Sequence, residues 1–208
     1  NLGIPVVNGY GLTESGTAVT VNDLKPFRSD TVGKPLPVVT IDILEPDQTG
    51  IGQIAVKSQT IMKGYLNEPQ LTAQTIKNGT LLTGDLGWID SSGHLHLVGR
   101  LKNMIVTSGG KNIYPEDIEA NFNDIDVKEF CIFSVNYVWK RHSLKQENLM
   151  IVLRLESNVS FTPLLLKEIR NRNFRLSDFR RVSSYLIWQQ DFPRTASLLS
   201  LIHISEPT

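Results

Sequence analysis

The stretch from Val32 to Leu97 restricts the fold more than any other part of the chain. It is broken at Pro35, Pro37, Pro46, Gly50 and Gly52, and apolar residues alternate in Val38 to Leu44 and in Gln53 to Val56. Proline locks φ and removes an amide donor, so no long helix or central strand passes through such punctuation. Period-two alternation between the breaks is the pattern of half-buried strands. A compact, mainly β subdomain is the expectation. Trp88-Ile89, the turn Asp90-Ser91-Ser92-Gly93 and the alternating run His94 to Val98 read as a hairpin ending at Gly99-Arg100. One short helix interrupts the strands at Pro69 to Ile76.

Upstream, Ile4 to Val7 reads as a short strand that delivers the loop Gly9-Tyr10-Gly11-Leu12-Thr13-Glu14-Ser15-Gly16. After Lys102 the pattern changes. Met104 to Thr107 reads as a strand, Ser108-Gly109-Gly110 as a turn, and Tyr114 to Glu119 as a helix start with Pro115 early and acids in the first turn. Phe130 to Val135, Leu149 to Leu155 and Ser184 to Trp188 read as strands, and Pro163 to Asn171 as a helix, giving a small α+β unit. The fold class expected is therefore α+β, mixed α/β, with a boundary near Arg100-Leu101-Lys102.

Composition narrows the partners. Lys plus Arg equals Asp plus Glu at 21 each in 208 residues, so no net field draws the molecule to nucleic acid, and a charged ligand must be held by local groups. Cys131 is the only cysteine, which excludes an internal disulfide and a thiolate metal cluster. In the run Phe130-Cys131-Ile132-Phe133 it reads as a buried structural thiol, in keeping with a reducing, cytoplasmic compartment. No apolar stretch is long enough to be a transmembrane segment, and attachment at a membrane periphery stays open. The start, Asn1-Leu2-Gly3-Ile4, has neither initiator Met nor signal pattern, so the natural start is expected further upstream.

Three constellations carry chemistry. Gly9 and Gly11 flank Tyr10, so backbone can approach a flat ligand while the ring offers a stacking face; Thr13 supplies a hydroxyl for a phosphate oxygen and Glu14 a hard carboxylate for Mg²⁺. The same residues standing alone would make an ordinary turn. In Thr83-Gly84-Asp85 the carboxylate follows the strand-like Thr80 to Leu82 and can accept both hydrogens of a ribose diol; an Asx-turn or helix cap is the alternative. Arg100, at the hairpin end, offers a forked guanidinium to a ribose or phosphate oxygen, or is a solvated rim charge.

Taken in order, these segments resemble the adenylate-forming superfamily of acyl-CoA ligases, firefly-luciferase-like enzymes and peptide-synthetase adenylation domains. Tyr10 to Gly16 matches its adenine and magnesium motif; Gly33-Lys34-Pro35-Leu36-Pro37, Gly52-Gln53-Ile54 and Met62-Lys63-Gly64-Tyr65 match its connecting segments. Thr83 to Gly87 matches the ribose motif, Gly99 to Asn103 the interdomain hinge, and Ser108 to Glu116 the loop lining the thioester-forming site. The resemblance runs from about Val6 to Ser197. It implies residues 1–99 as the end of a large AMP-binding domain, 100–102 as hinge, 103–197 as a small lid domain and 198–208 as a non-native tail. It further implies that Tyr10 stacks on the adenine of ATP or AMP, Thr13 holds phosphate, Glu14 binds Mg²⁺, Asp85 and Arg100 hold the ribose, and Lys102 is the pivot. Ser108, Gly109 and Gly110 would line the path of the pantetheine thiol of coenzyme A.

The activity implied is formation of an acyl-adenylate from ATP and a small-molecule carboxylic acid, a fatty acid by default, and transfer to coenzyme A. A carrier-protein thiol as acceptor, or a non-catalytic nucleotide-binding module, are the alternatives. Two parts of the pattern are missing from the sequence: the phosphate-gripping loop expected upstream of Gly9, and the catalytic lysine expected near Leu198 or Leu199, after Phe192-Pro193-Arg194-Thr195-Ala196-Ser197. Leu199 to Thr208 is unlike the family's ending and reads as foreign sequence, so the fragment is expected not to complete the reaction. His94 and His96 alternate as solvent-facing histidines would, without a third metal ligand. Trp139 to Lys145 reads as a solvated basic loop, with contact to a coenzyme A phosphate as the alternative. Phe174, Leu176 and Phe179, among the arginines from Arg170 to Arg181, read as cover for the small domain's core.

Overall fold

The protein is described by a computed structural model, which defines residues 6–107, 110–135, 148–156 and 160–192. It divides into two compact units, 1–102 and 103–208.

The first unit holds two sheets. β1 (Gly9–Gly11), β2 (Ala18–Val21) and β3 (Lys34–Pro35) form an antiparallel sheet in that order. β4 (Thr40–Leu44), β5 (Gly52–Lys57), β6 (Ile76–Lys77), β7 (Thr80–Ile89) and β8 (Leu95–Arg100) form the second, in which β7 pairs with β5, β6 and β8. Helix α1 (Pro69–Thr75) starts at its proline, where a missing amide costs nothing, and gives way to β6 at Ile76. Ile41, Ile54, Val56, Leu81 and Leu95 build the buried core with Val19 of β2, so alternation along β4 and β5 sorts one face inward.

The second unit begins with a short antiparallel ladder, β9 (Ile105–Val106) and β10 (Asn112–Ile113). Helix α2 (Pro115–Glu119), strand β11 (Glu129–Ser134), strand β12 (Leu149–Arg154), helix α3 (Pro163–Phe174) and strand β13 (Val182–Ile187) follow. β12 is central, antiparallel to β11 and parallel to β13. Its residues are buried on both faces: Leu149, Ile151 and Leu153 pack with Ile118, Phe122 and Ile169, and Met150 and Val152 pack with Phe133. A strand covered on both sides needs an unbroken apolar run, which Leu149 to Leu153 provides. Thr162 caps α3, its hydroxyl accepting from the Leu165 amide at 3.2 Å. The architecture is α+β.

Several expectations need correction. Val6 and Val7 lie in no strand, and Gly9-Tyr10-Gly11 is itself a strand rather than loop. Its glycines serve close backbone approach: a Cβ at Gly11 would lie 2.5 Å from the Thr17 carbonyl oxygen. Asp85 stands inside the long strand β7, not beyond its end, and is neither an Asx-turn nor a cap. His94 and His96 are buried, at 3% and 7% exposure, because the segment 22–31 packs over them. His94 Nε2 lies 2.9 Å from Asp23, His96 Nδ1 lies 2.9 Å from the Asp30 carbonyl, and His96 stacks on Trp88. Asp90 joins this cluster and accepts from Arg28 at 2.6 Å. α3 extends to Phe174, whose ring is exposed, while Leu176 and Phe179 do pack against the core. Cys131 is half-buried, and burial pushes its thiol up to about 12. The basic loop Trp139 to Lys145 and residues 193–208 lie outside the described residues. No helix among the described residues is long and apolar enough to cross a membrane.

Candidate functional site

Tyr10, Asp85 and Arg100 meet in the first unit. Asp85 and Arg100 are direct cross-strand partners in the β7–β8 register, so the hairpin alone puts carboxylate beside guanidinium. Arg100 donates to Asp85 Oδ1 at 2.5 Å and to the Thr83 carbonyl at 3.2 Å. The Tyr10 hydroxyl donates to Asp85 Oδ2 at 2.5 Å, across 75 residues of sequence.

A bulge aims the carboxylate. The pairing of β5 with β7 slips between Gln53 and Ala55, opposite Thr83-Gly84-Asp85, and Gly84 takes φ +72°. Left-handed backbone of that kind favours glycine, and bulges re-aim side chains. The Thr83 hydroxyl restores the lost connection, donating to the Ile54 carbonyl at 2.7 Å and accepting from the Asp85 amide at 3.0 Å. Thr83 therefore helps to build this cluster, although local sequence does not distinguish it from any other threonine beside a carboxylate.

Tyr10 is fixed from the other side. It faces Thr20 across the β1–β2 ladder, and its amide donates to the Thr20 hydroxyl at 3.1 Å. Burial, followed by the bond to Asp85, raises the Tyr10 hydroxyl far above the ordinary tyrosine range, so it stays a proton donor to the carboxylate. An open concavity of about 420 Å³ runs along β1, lined by Gly9, Tyr10, Gly11, Leu12 and Ala18 among others.

Thr13 and Glu14 lie in the 3-10 turn Thr13–Ser15 that follows β1. Ser15 is fully buried and pins this turn, its hydroxyl donating to the Leu12 carbonyl at 2.7 Å and accepting from the Leu12 amide at 3.0 Å. Thr13 is exposed and Glu14 half-buried. Glu14 Oε1 accepts from the Tyr65 hydroxyl at 2.8 Å. Glu14 Oε2 has no hydrogen-bond partner among the described residues. Among those residues no three His, Cys, Asp or Glu side chains converge to hold a metal ion. One carboxylate with a free oxygen, next to an exposed hydroxyl, fits a magnesium ion that takes its other ligands from substrate phosphates and water.

Lys102 lies in the 3-10 turn Leu101–Asn103, at the division between the units. Gly110 takes φ +74° and its amide donates to the Thr107 carbonyl at 2.9 Å, closing the β9–β10 turn. Ser108 and Gly109 lie outside the described residues.

The chain has clear relatives. The family model for AMP-binding enzymes matches residues 1–66. The 2-succinylbenzoate–CoA ligase of Lactococcus lactis subsp. lactis (strain IL1403) is 45% identical over 121 residues, covering 57% of this chain and 25% of that protein. The long-chain-fatty-acid–CoA ligase ACSBG2 of Gallus gallus is 39% identical over 132 residues, covering 63% of this chain and 17% of that one. Among solved structures, O-succinylbenzoate coenzyme A synthetase (MenE) from Bacillus subtilis in complex with ATP and magnesium superposes with a TM-score of 0.75 at 28% identity, over 97% of this chain and 41% of that one. The chain thus spans a quarter or less of the length of these curated relatives. It belongs to the adenylate-forming, AMP-binding superfamily.

Proposed function

We propose that this chain forms the ribose- and magnesium-binding part of an ATP-dependent acid–thiol ligase, which joins a carboxylic acid to coenzyme A through an acyl-adenylate. The observation that carries the reading is the Tyr10–Asp85–Arg100 cluster, in which one carboxylate is gripped from two sides, and of these residues Tyr10 also lines the open concavity along β1. An ionised carboxylate has about four acceptor positions, so two remain for a ribose diol after the tyrosine and arginine are served. In this reading Asp85 and Arg100 hold the ribose hydroxyls, and the Tyr10 ring lies against adenine. Gly9 and Gly11 keep the strand beside it free of side chains.

The chemistry follows from charge. A substrate carboxylate oxygen attacks the α-phosphorus of ATP and pyrophosphate leaves; a thiol then attacks the acyl carbon and AMP leaves. The first step brings two anions together, so donors fixed before the reaction lower the barrier most. Thr13 would donate to a phosphate oxygen, and Glu14 would hold Mg²⁺, which when bound neutralises charge on the phosphates. Lys102 would serve as the pivot between the two steps, with Ser108, Gly109 and Gly110 lining the thiol path. The names of the relatives include both fatty and aryl acids, and a carboxylic acid, a fatty acid foremost, is the proposed substrate.

Binding of AMP to the purified chain, compared with 2′,3′-dideoxy-AMP, tests the reading. Charge-assisted hydrogen bonds contribute about 1.5–3 kcal/mol, so Asp85→Asn should weaken AMP by about tenfold or more while hardly changing the dideoxy analogue. Equal losses for both nucleotides, or a wild-type chain that binds no AMP, would overturn it.

A further inference from the structure

Glu14 is held by a segment that the nucleotide reading does not use. The Met62 amide donates to the Glu14 carbonyl at 2.8 Å, and the Tyr65 hydroxyl donates to Glu14 Oε1 at 2.8 Å, so backbone and side chain are gripped together. Tyr65 is itself anchored: its amide donates to the Thr72 hydroxyl of α1 at 2.9 Å, and that hydroxyl donates to the Glu68 carbonyl at 2.9 Å. Gly64 makes the approach possible. It takes φ +154°, and a Cβ there would lie 2.7 Å from Thr72 Cγ2. The same segment closes on the far end of the turn, where a Cβ at Gly16 would meet the Thr60 carbonyl oxygen at 2.7 Å.

We propose that Tyr65 is a positioning residue for Glu14, fixing one carboxylate oxygen so that the other is presented to a phosphate-bound divalent cation. The inference deepens the functional reading above and rests on it. A glutamate on a short turn carries several rotatable bonds, and ordering it when the cation binds costs side-chain freedom. A hydroxyl anchored through α1 removes part of that cost in advance.

The test uses Mn²⁺ as a spectroscopic stand-in for Mg²⁺, titrated into the chain with ATP. Tyr65→Phe keeps the ring and removes the donor, and should raise the Mn²⁺ midpoint by about three- to tenfold, the scale of one hydrogen bond. The loss should appear in that midpoint and not in ATP affinity without metal. Glu14→Gln should abolish the metal dependence, and adding Tyr65→Phe to it should cause no further loss. An unchanged midpoint in Tyr65→Phe, an equal loss without metal, or additive losses in the double variant would each overturn the proposal. A wild-type chain that binds no ATP overturns the functional reading together with this one. ATP binding with an intact metal response in Tyr65→Phe overturns this one alone.

Discussion

Glu119 offers a prediction whose size follows from its surroundings. It ends α2, and its Oε1 accepts from the Ile132 amide at 2.7 Å. Burial raises its carboxyl from 4.5 to about 7; nearby Glu116 pushes the same way, and the Ile132 amide opposes them. The folded value lies above the unfolded one, so folding favours the protonated form. Stability is therefore full below the unfolded value and declines as pH rises from about 4.5 to about 7. At about 1.4 kcal/mol per pH unit this amounts to about 3 kcal/mol. Glu119→Gln keeps an acceptor for Ile132 and carries no charge. At about pH 8 the variant's second unit should be more stable than wild type by up to about 3 kcal/mol, and at about pH 4 the two should agree closely. Amide exchange at Ile151 and Val152, in the buried central strand, reports the opening energy once corrected for intrinsic rates. A Gln variant that is less stable at the higher pH, or a difference independent of pH, would refute the reasoning.

Asp90 should show the opposite sign. Its carboxyl is held well below the usual carboxylate range, first by the His94 amide and then by the Arg28 guanidinium, Ser92 and His96. Its contribution is present above the unfolded value of about 4 and lost as pH falls below it, so Asp90→Asn should be less stable at neutral pH and have a shallower acid limb. Superimposable acid-unfolding curves by circular dichroism would contradict this. Gly33 takes φ +91°, and a Cβ there would lie 2.1 Å from the Val21 carbonyl carbon. Gly33→Ala should cost about 2 kcal/mol or more and lower the thermal midpoint of the first unit, followed by amide exchange or circular dichroism; a midpoint within a degree or so of wild type would show that the backbone gives way.

What the sequence revealed and concealed divides along local and non-local lines. Alternation and proline punctuation mark β4, β5 and the β7–β8 hairpin, and the turn at Asp90 to Gly93 sets the register that pairs Asp85 with Arg100. Gly9-Tyr10-Gly11 reads as loop because glycine has weak strand preference; only the opposing Ala18 to Val21 makes it a strand. Two histidines in an alternating strand look solvated until the distant Asp23 and Asp30 cover them. The bulge at Gly84 and the contact of Tyr65 with Glu14, 51 residues away, both depend on partners that local spacing does not announce. Thr83-Gly84-Asp85 and Arg100 stand out as chemistry-bearing residues in the sequence, but the distances between them are a product of the sheet.

The central claim is that Tyr10, Asp85 and Arg100 surround one nucleoside, and an AMP titration followed by nuclear magnetic resonance tests it most directly. The account predicts that the Tyr10 ring protons, the Asp85 amide and the Arg100 side-chain N–H shift together with a single midpoint. Shifts confined to other residues, or separate midpoints for the three, would contradict it.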